Sequence, residues 1–217
     1  MKRIEELFEE AKEKRNNGEL AEAIEIYQEV RDQALKRGDK KLAIECAHMI
    51  GVTYYQEDRY DQALESLGVA EEELEDLDER ILMGAVLRDI GQVYLKKSET
   101  KRAKYYLEKS LEVLRNIEPR SHWGISRVKL AFVFVSYGSL KGAEELILDT
   151  IRDVDWGEDK FFEATAYFNL AQVQLKLEKK PQTKKSLEKS LEILDQISDK
   201  DEFLDRRAQI NRLMLDL

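Results

Sequence analysis

The sequence of 217 residues has one cysteine, two prolines, ten glycines and two histidines, and it has no long apolar run. The single cysteine, Cys46, excludes an internal disulfide framework and suits a reducing cytoplasm. The scarcity of proline and glycine favours long helices over many short strands. The longest apolar run, about residues 130–135, is too short to span a bilayer, and residues 1–8 lack a secretory stretch. We therefore predict a cytoplasmic protein without membrane insertion.

Acidic residues outnumber basic ones, 45 to 36, which gives a formal net charge of −9. Binding to a phosphate backbone requires clustered positive charge, so we expect no nucleic-acid partner. Hydrophobic residues still make up 42% of the chain, which is enough to build a core.

Side chains that could carry catalysis or hold a metal are few and badly spaced. Cys46 and His48 lie two residues apart, so on a helix they point roughly 200° from each other and cannot act as a nucleophile and its base. The acidic segment 153–159 has the composition of a calcium loop, but Gly157 comes one place early and no closing glutamate follows. We predict that the protein is not an enzyme, with no catalytic, cofactor-binding or metal-binding residues.

Small residues recur along the chain at a spacing of forty positions. One set is Ala23, Ala63, Ala103, Ala143 and Thr183, and a second set, twelve residues earlier in each case, is Ala11, Gly51, Gly91, Ala131 and Ala171. A constant spacing over most of the length indicates a repeated structural unit. Each unit carries two amphipathic stripes, and small residues let two helix axes approach within roughly 8–10 Å. We therefore predict an all-α fold of five helical hairpins, at about 1–39, 40–79, 80–118, 119–158 and 159–200, closed by a capping helix at 201–217.

The order of small, aromatic, small and bulky residues within a unit resembles the tetratricopeptide repeat family. Three units carry this resemblance: Gly51–Tyr54–Ala63–Leu67, Gly91–Tyr94–Ala103–Leu107 and Ala131–Phe134–Ala143–Ile147. The period of forty exceeds the family's usual thirty-four, as in a long-period subset of the family found in adaptor proteins. The resemblance implies a right-handed superhelical solenoid whose first helices line a concave groove.

The implied groove is charged towards the N-terminus and apolar in units four and five. The predicted partner-binding residues are Arg88, Gln92, Leu95, Ile125, Val128, Phe132, Val135, Phe168, Asn169, Gln172 and Leu175. Exposed contiguous apolar surface of this kind marks a partner site. The alternative is that a tighter curl or the final helix covers it, because burial is the default for apolar side chains.

The chaperone-binding members of the family hold a terminal carboxylate with basic and amide side chains. The corresponding places here are Phe8, Lys12, Met49, Ala85 and Asp89. Only one of them is basic and Asp89 would repel an anion, so carboxylate binding at these places is not expected.

The function predicted from the sequence is a non-catalytic scaffold or adaptor that holds a peptide or amphipathic helix of a partner protein, with Phe132 and Phe168 flanking it. Two alternatives remain open. One is a self-associating module that forms a homodimer. Sedimentation of the full chain and of a chain truncated after Ser198 would distinguish it from the adaptor. The other is a regulatory protein that senses signalling peptides.

Overall fold

The computed structural model describes residues 3–197, 204–215 and 217, and within them it contains eleven helices and no strand. The helices are α1 (Ile4–Asn16), α2 (Leu20–Arg37), α3 (Lys40–Gln56), α4 (Tyr60–Leu74), α5 (Arg80–Lys96), α6 (Thr100–Val113), α7 (Ser121–Ser136), α8 (Leu140–Asp153), α9 (Lys160–Lys176), α10 (Lys180–Leu194) and α11 (Leu204–Leu215). The predicted all-α fold is confirmed. None of these helices combines the length and the apolar character needed to cross a membrane.

Each helix packs against the next one along the chain, as a stack of hairpins requires. In addition α3, α5, α7 and α9 pack side by side. These four helices form an inner layer, and α4, α6, α8 and α10 lie outside it. The arrangement is a solenoid in which each unit buries its apolar stripe mainly against its neighbours.

The turn between the two helices of a hairpin is the same in every repeat. Its central residue has positive φ, and it recurs forty positions apart as Gly18, Asp58, Ser98, Gly138 and Glu178. The N–H of this residue donates to the carbonyl three residues earlier, and the next N–H donates to the carbonyl five residues earlier. This pattern satisfies the last carbonyls of the first helix and starts the second helix two residues later.

Glycines in the first helices allow the second helices to pack very closely. A Cβ on Gly51 would lie 2.6 Å from Leu67 Cγ, and a Cβ on Gly91 would lie 2.7 Å from Leu107 Cγ. Ala103 at the same contact is completely buried. The small residues are therefore contact points between the two helices of a hairpin, as the forty-residue spacing predicts.

The helix α9 is buried on nearly all sides. Its buried residues include polar ones and do not follow a single stripe: Ala164, Thr165, Ala166, Phe168, Asn169, Leu170, Ala171, Val173 and Gln174. The reason is that α7, α8 and α10 all pack against it, and the Phe168 side chain joins a cluster that contains Ile210 of α11. A helix enclosed in this way has no polar, solvent-facing side, so its sequence lacks the amphipathic pattern from which its orientation could be predicted.

The C-terminal helix α11 packs on α10, and its Ile210 is completely buried. The predicted boundary between residues 200 and 201, together with Ser198 and Phe203, lies outside the described residues.

We expect Gly91→Ala to lower the free energy of unfolding by about 1–3 kcal/mol, because Leu107 and the α6 backbone would have to move away. Gly68→Ala is the matched control: Gly68 lies within α4 and has nothing near its Cβ position. This control should stabilise the protein by about 0.5–1 kcal/mol through helix propensity alone. Urea unfolding measures both, and equal effects of the two substitutions would contradict the close contact.

Candidate functional site

A cavity of 350 Å³ opens on the inner layer of the solenoid. Its walls come from α3, α5, α7 and α9, with Arg15 of α1 at one side and Arg206 of α11 at another. Val52 and Tyr55 supply part of the α3 wall, and Phe162 supplies part of the α9 wall. The cavity therefore spans the second to fifth hairpins and is bordered by the final helix. We call it the inner pocket.

A buried carboxylate, Asp89, organises one wall of the inner pocket. His48 Nε2 lies 2.8 Å from Asp89 Oδ2, Gln92 Nε2 donates to Oδ1 at 2.7 Å, and Arg88 Nε donates to Oδ1 at 3.2 Å. Burial alone would raise the pKa of Asp89, but the Arg88 charge and the His48 hydrogen bond outweigh it and hold that pKa well below its usual range. Asp89 is thus an ionised acceptor whose charge is compensated by its own neighbours.

Lys129 of α7 also lines the inner pocket, but unlike Asp89 it has no neighbour among the described residues that compensates its charge. Within the described part of the chain it forms no ion pair or hydrogen bond. Burial, followed by the positive charges of Arg206 and Arg88, lowers the pKa of Lys129 to about 7. Its ammonium group is therefore close to losing its proton at neutral pH.

Within the described part of the chain, four side chains of the inner pocket have a buried polar atom without a hydrogen-bond partner. The atoms are Arg15 Nε, His48 Nδ1, Thr165 Oγ1 and Arg88 Nη1, and the other guanidinium nitrogens of Arg88 donate to Asp89. A buried donor left unpaired costs about 1–3 kcal/mol, so a cluster of them is unusual in a folded protein.

The inner pocket is positively charged although the whole chain is acidic. Of the described side chains that line it, Arg15, Arg88, Lys129 and Arg206 are basic and only Asp89 is acidic. A low-dielectric cavity lined by one sign of charge concentrates the field inside it. The arrangement suits a ligand that brings hydrogen-bond acceptors and negative charge.

Three of the predicted groove residues, Arg88, Gln92 and Ile125, line the inner pocket. Leu95 is half-buried and packs instead against the cluster of Ala103, Leu107 and Val133.

The expectation of an exposed apolar groove in units four and five is wrong for four of its residues. Ile125, Val128, Phe168 and Asn169 are all at least 96% buried. Ile125 and Val128 belong to the core between α7, α8 and α9, and the guanidinium of Arg206 lies 4.5 Å from the centre of the Phe168 ring. The open alternative, cover by the final helix, therefore holds at Phe168.

Four further predicted residues are half-buried, and none of them lines the inner pocket: Phe132, Val135, Gln172 and Leu175. Phe132 and Phe168 cannot flank a guest helix together, since Phe168 is covered.

Sequence reasoning missed Lys129, Phe162 and Arg206 as parts of a site and treated Asp89 only as a repelling charge. One signal was available for Lys129, because it interrupts an apolar stretch between Val128 and Leu130. Nothing in the sequence shows that Arg206 of the last helix borders the same cavity.

Cys46 is completely buried, and burial raises the pKa of its thiol to about 12, so it is not a nucleophile at neutral pH. The nearby His48 ring contacts Asp89 instead. Across the described ranges, no three His, Cys, Asp or Glu side chains come together as metal ligands.

Comparison with known protein families matches residues 164–193 to a tetratricopeptide repeat. No curated protein matches the chain by sequence. The match covers most of α9 and α10, and the turn of that hairpin recurs in the other hairpins of the described chain.

Solved structures of similar fold share little sequence with the chain. The Rap conjugation gene regulator of plasmid pLS20, in complex with the Phr* peptide, has a TM-score of 0.76 at 16% identity, over 94% of this chain and 55% of the regulator. NprR in complex with its cognate peptide NprX has a TM-score of 0.72 at 15% identity, over 91% of this chain and 56% of NprR. A putative kinesin light chain from Podosopora anserina has a TM-score of 0.61 at 16% identity, over 92% of this chain and 100% of that one. At these identities the likeness shows the fold alone.

We expect Lys129→Met to stabilise the protein more at pH 6 than at pH 10. The pKa of Lys129 is about 7 when folded against an ordinary value of 10.5, so the unfolded chain holds more protons between these values. The free energy of unfolding therefore rises with pH between these two pKa values. The destabilisation by the charge of Lys129 is largest below about pH 7. Thermal unfolding of both proteins at the two pH values measures the difference, and a pH-independent effect would contradict the assignment.

Proposed function

We propose that the protein is a non-catalytic adaptor that binds a short peptide segment of a partner in the inner pocket. The observation that carries this proposal is a cavity on the inner layer with unpaired buried donors at Arg88 and Thr165. A peptide backbone offers a carbonyl acceptor at every residue, so it can satisfy donors of this kind. Apolar walls at Val52 and Phe162 would take its side chains.

The size of the inner pocket favours a short extended segment over a guest helix. Its 350 Å³ lies at the low end of the roughly 300–1,000 Å³ found for ligand pockets. An α-helix with its side chains is about 10–12 Å wide, and the apolar face proposed to receive one is covered at Phe168.

Two of the structures with similar fold support a peptide-sensing form of this proposal. NprR and the pLS20 Rap regulator were each solved in complex with a peptide, and this chain superposes on about half of either one. Sensing of a free peptide and capture of a segment of a larger protein use the same contacts. The proposal covers both, because a groove that pairs with backbone groups reads either ligand in the same way.

We expect Val52→Trp to abolish the binding of peptides selected from a displayed library on the full chain. Val52 is half-buried in the pocket wall, so an indole there fills the cavity. The matched control is Val69→Trp, which places the same side chain at an exposed position of α4 outside the pocket. It should leave binding unchanged.

Binding of the selected peptides is followed by fluorescence anisotropy, and circular dichroism checks that both variants keep their helix content. Peptides that bind the Val52→Trp variant as well as the original protein would overturn the pocket as the site. Failure to select any peptide above an uncoated surface would overturn peptide binding itself.

A further inference from the structure

An aromatic ring recurs near the end of the first helix in three hairpins, and in two of them an arginine of the chain covers it. The Arg59 guanidinium lies 4.5 Å from the centre of the Tyr54 ring. The Arg102 guanidinium lies 5.5 Å from the centre of the Tyr94 ring. A guanidinium within about 6 Å of a ring is attracted by its π-electron face. The second and third hairpins therefore each supply a cation to the same place in the repeat.

The corresponding ring of the fourth hairpin, Phe134, has no such cover from its own hairpin. Ser139 takes the place of Arg59 in the repeat, and Gly142 takes the place of Arg102. A Cβ on Gly142 would lie 3.4 Å from Phe134 Cδ1, so a side chain at this position would border the ring. Because glycine leaves the position empty, Phe134 is 39% exposed.

A second exposed ring, Tyr137, follows three residues after Phe134. In the third hairpin the same place belongs to Lys97, which pairs with Asp61 of the preceding hairpin. In the fourth hairpin the place of Asp61 on the preceding hairpin is held by Lys101, so this ion pair is lost. Tyr137 is 61% exposed. We call Phe134 and Tyr137 the exposed aromatic pair.

We propose that the exposed aromatic pair binds an arginine-bearing segment of a partner protein, whose guanidinium stacks on Phe134 as Arg102 stacks on Tyr94. This inference goes beyond the proposed function, because neither ring lines the inner pocket. A planar, weakly hydrated guanidinium stacks on an aromatic face better than the compact ammonium of lysine does. The formal net charge of −9 also attracts a cationic segment.

An exposed carboxylate is placed to pair with the incoming guanidinium. Arg102 not only stacks on Tyr94 but also pairs with Glu99 at 2.8 Å. Glu145 plays this part in the fourth hairpin: it is exposed and lies three residues after Gly142 on α8. Residues three apart on a helix share a face, so Glu145 lies on the side of α8 that borders Phe134.

Neighbouring lysines do not prevent a contact of this kind. Arg102 stacks on Tyr94 although Lys101 precedes it directly and Lys104 follows two residues later. Between residues 137 and 146, the fourth hairpin has one lysine, Lys141. The local charge is thus less positive there than at the ring that Arg102 already covers.

The first experiment compares two labelled eight-residue peptides on the full chain by fluorescence anisotropy. One has three arginines among glycines and serines, and the other has lysines at the same three places. Both carry the same charge, so general attraction to an acidic protein acts on both. We expect the arginine peptide to bind about threefold or more tightly, and Phe134→Leu to remove the difference. Equal binding of the two peptides, or a difference that survives Phe134→Leu, would overturn the proposal.

The second experiment fills the site with a side chain of the protein itself. Gly142→Arg puts an arginine beside Phe134, and Ser139 Oγ, which its Cβ would meet at 2.8 Å, can rotate away. This variant should lose the preference for the arginine peptide. Gly68→Arg is the matched control, because it adds the same charge on α4, where nothing lies near the Cβ position, and it should keep the preference. Equal losses in the two variants, with helix content unchanged by circular dichroism, would mean general repulsion and would overturn the assigned site.

Other occupants of the exposed aromatic pair give different results. A peptide with leucines at the three places that binds as tightly as the arginine peptide would indicate an apolar docking face and would overturn the role of the guanidinium. Sedimentation as a dimer that Phe134→Leu converts to a monomer would assign a second copy of the chain, against the proposal. Val52→Trp, which fills the inner pocket, should leave the arginine preference intact. Loss of that preference in Val52→Trp would place the peptide in the inner pocket and overturn the second surface.

Discussion

The close contact between the two helices of each hairpin is the constraint on which the rest of the structure depends. At Gly51 and Gly91 the facing leucine side chain occupies the space that a Cβ would need. Backbones that approach this closely fix the angle of each hairpin, and the recurring positive-φ turn fixes where the second helix starts. Because α3, α5, α7 and α9 are then held side by side, the inner pocket is a product of the stacking and not of any single helix.

The inner pocket brings together charged and unpartnered polar groups. Many charged side chains elsewhere form ion pairs at the surface, such as Lys41 with Glu79 and Lys97 with Asp61. In the pocket a guanidinium nitrogen of Arg88 is buried without a partner, and Lys129 forms no ion pair within the described residues. Such a set of groups lowers stability, and places where a protein accepts this cost are expected to be functional sites.

The fold was largely readable from the sequence, and the site was readable only in part. The forty-residue spacing of small residues predicts the hairpin contacts, and Gly18 and Gly138 mark two of the turns, while Glu178 takes the same positive φ without any sequence signal. The resemblance to tetratricopeptide repeats implies that the first helices line a groove, and with the helical stripe it placed Arg88 and Gln92 on the inner face, where both line the pocket. The prediction of an exposed side chain fails at Phe168, because the spacing of apolar residues within one helix does not show which later helix covers them. The position of Arg206 at the pocket border likewise depends on how the final helix packs against the rest of the chain.

The most direct test of the account is a crystal structure of the full chain with a selected peptide bound. The account predicts a peptide that lies across α3, α5, α7 and α9, with carbonyl oxygens within hydrogen-bond distance of Arg88 Nη1 and Thr165 Oγ1 and with α11 in place over Phe168. A peptide bound on the outer layer, or on a face uncovered by departure of α11, would contradict it.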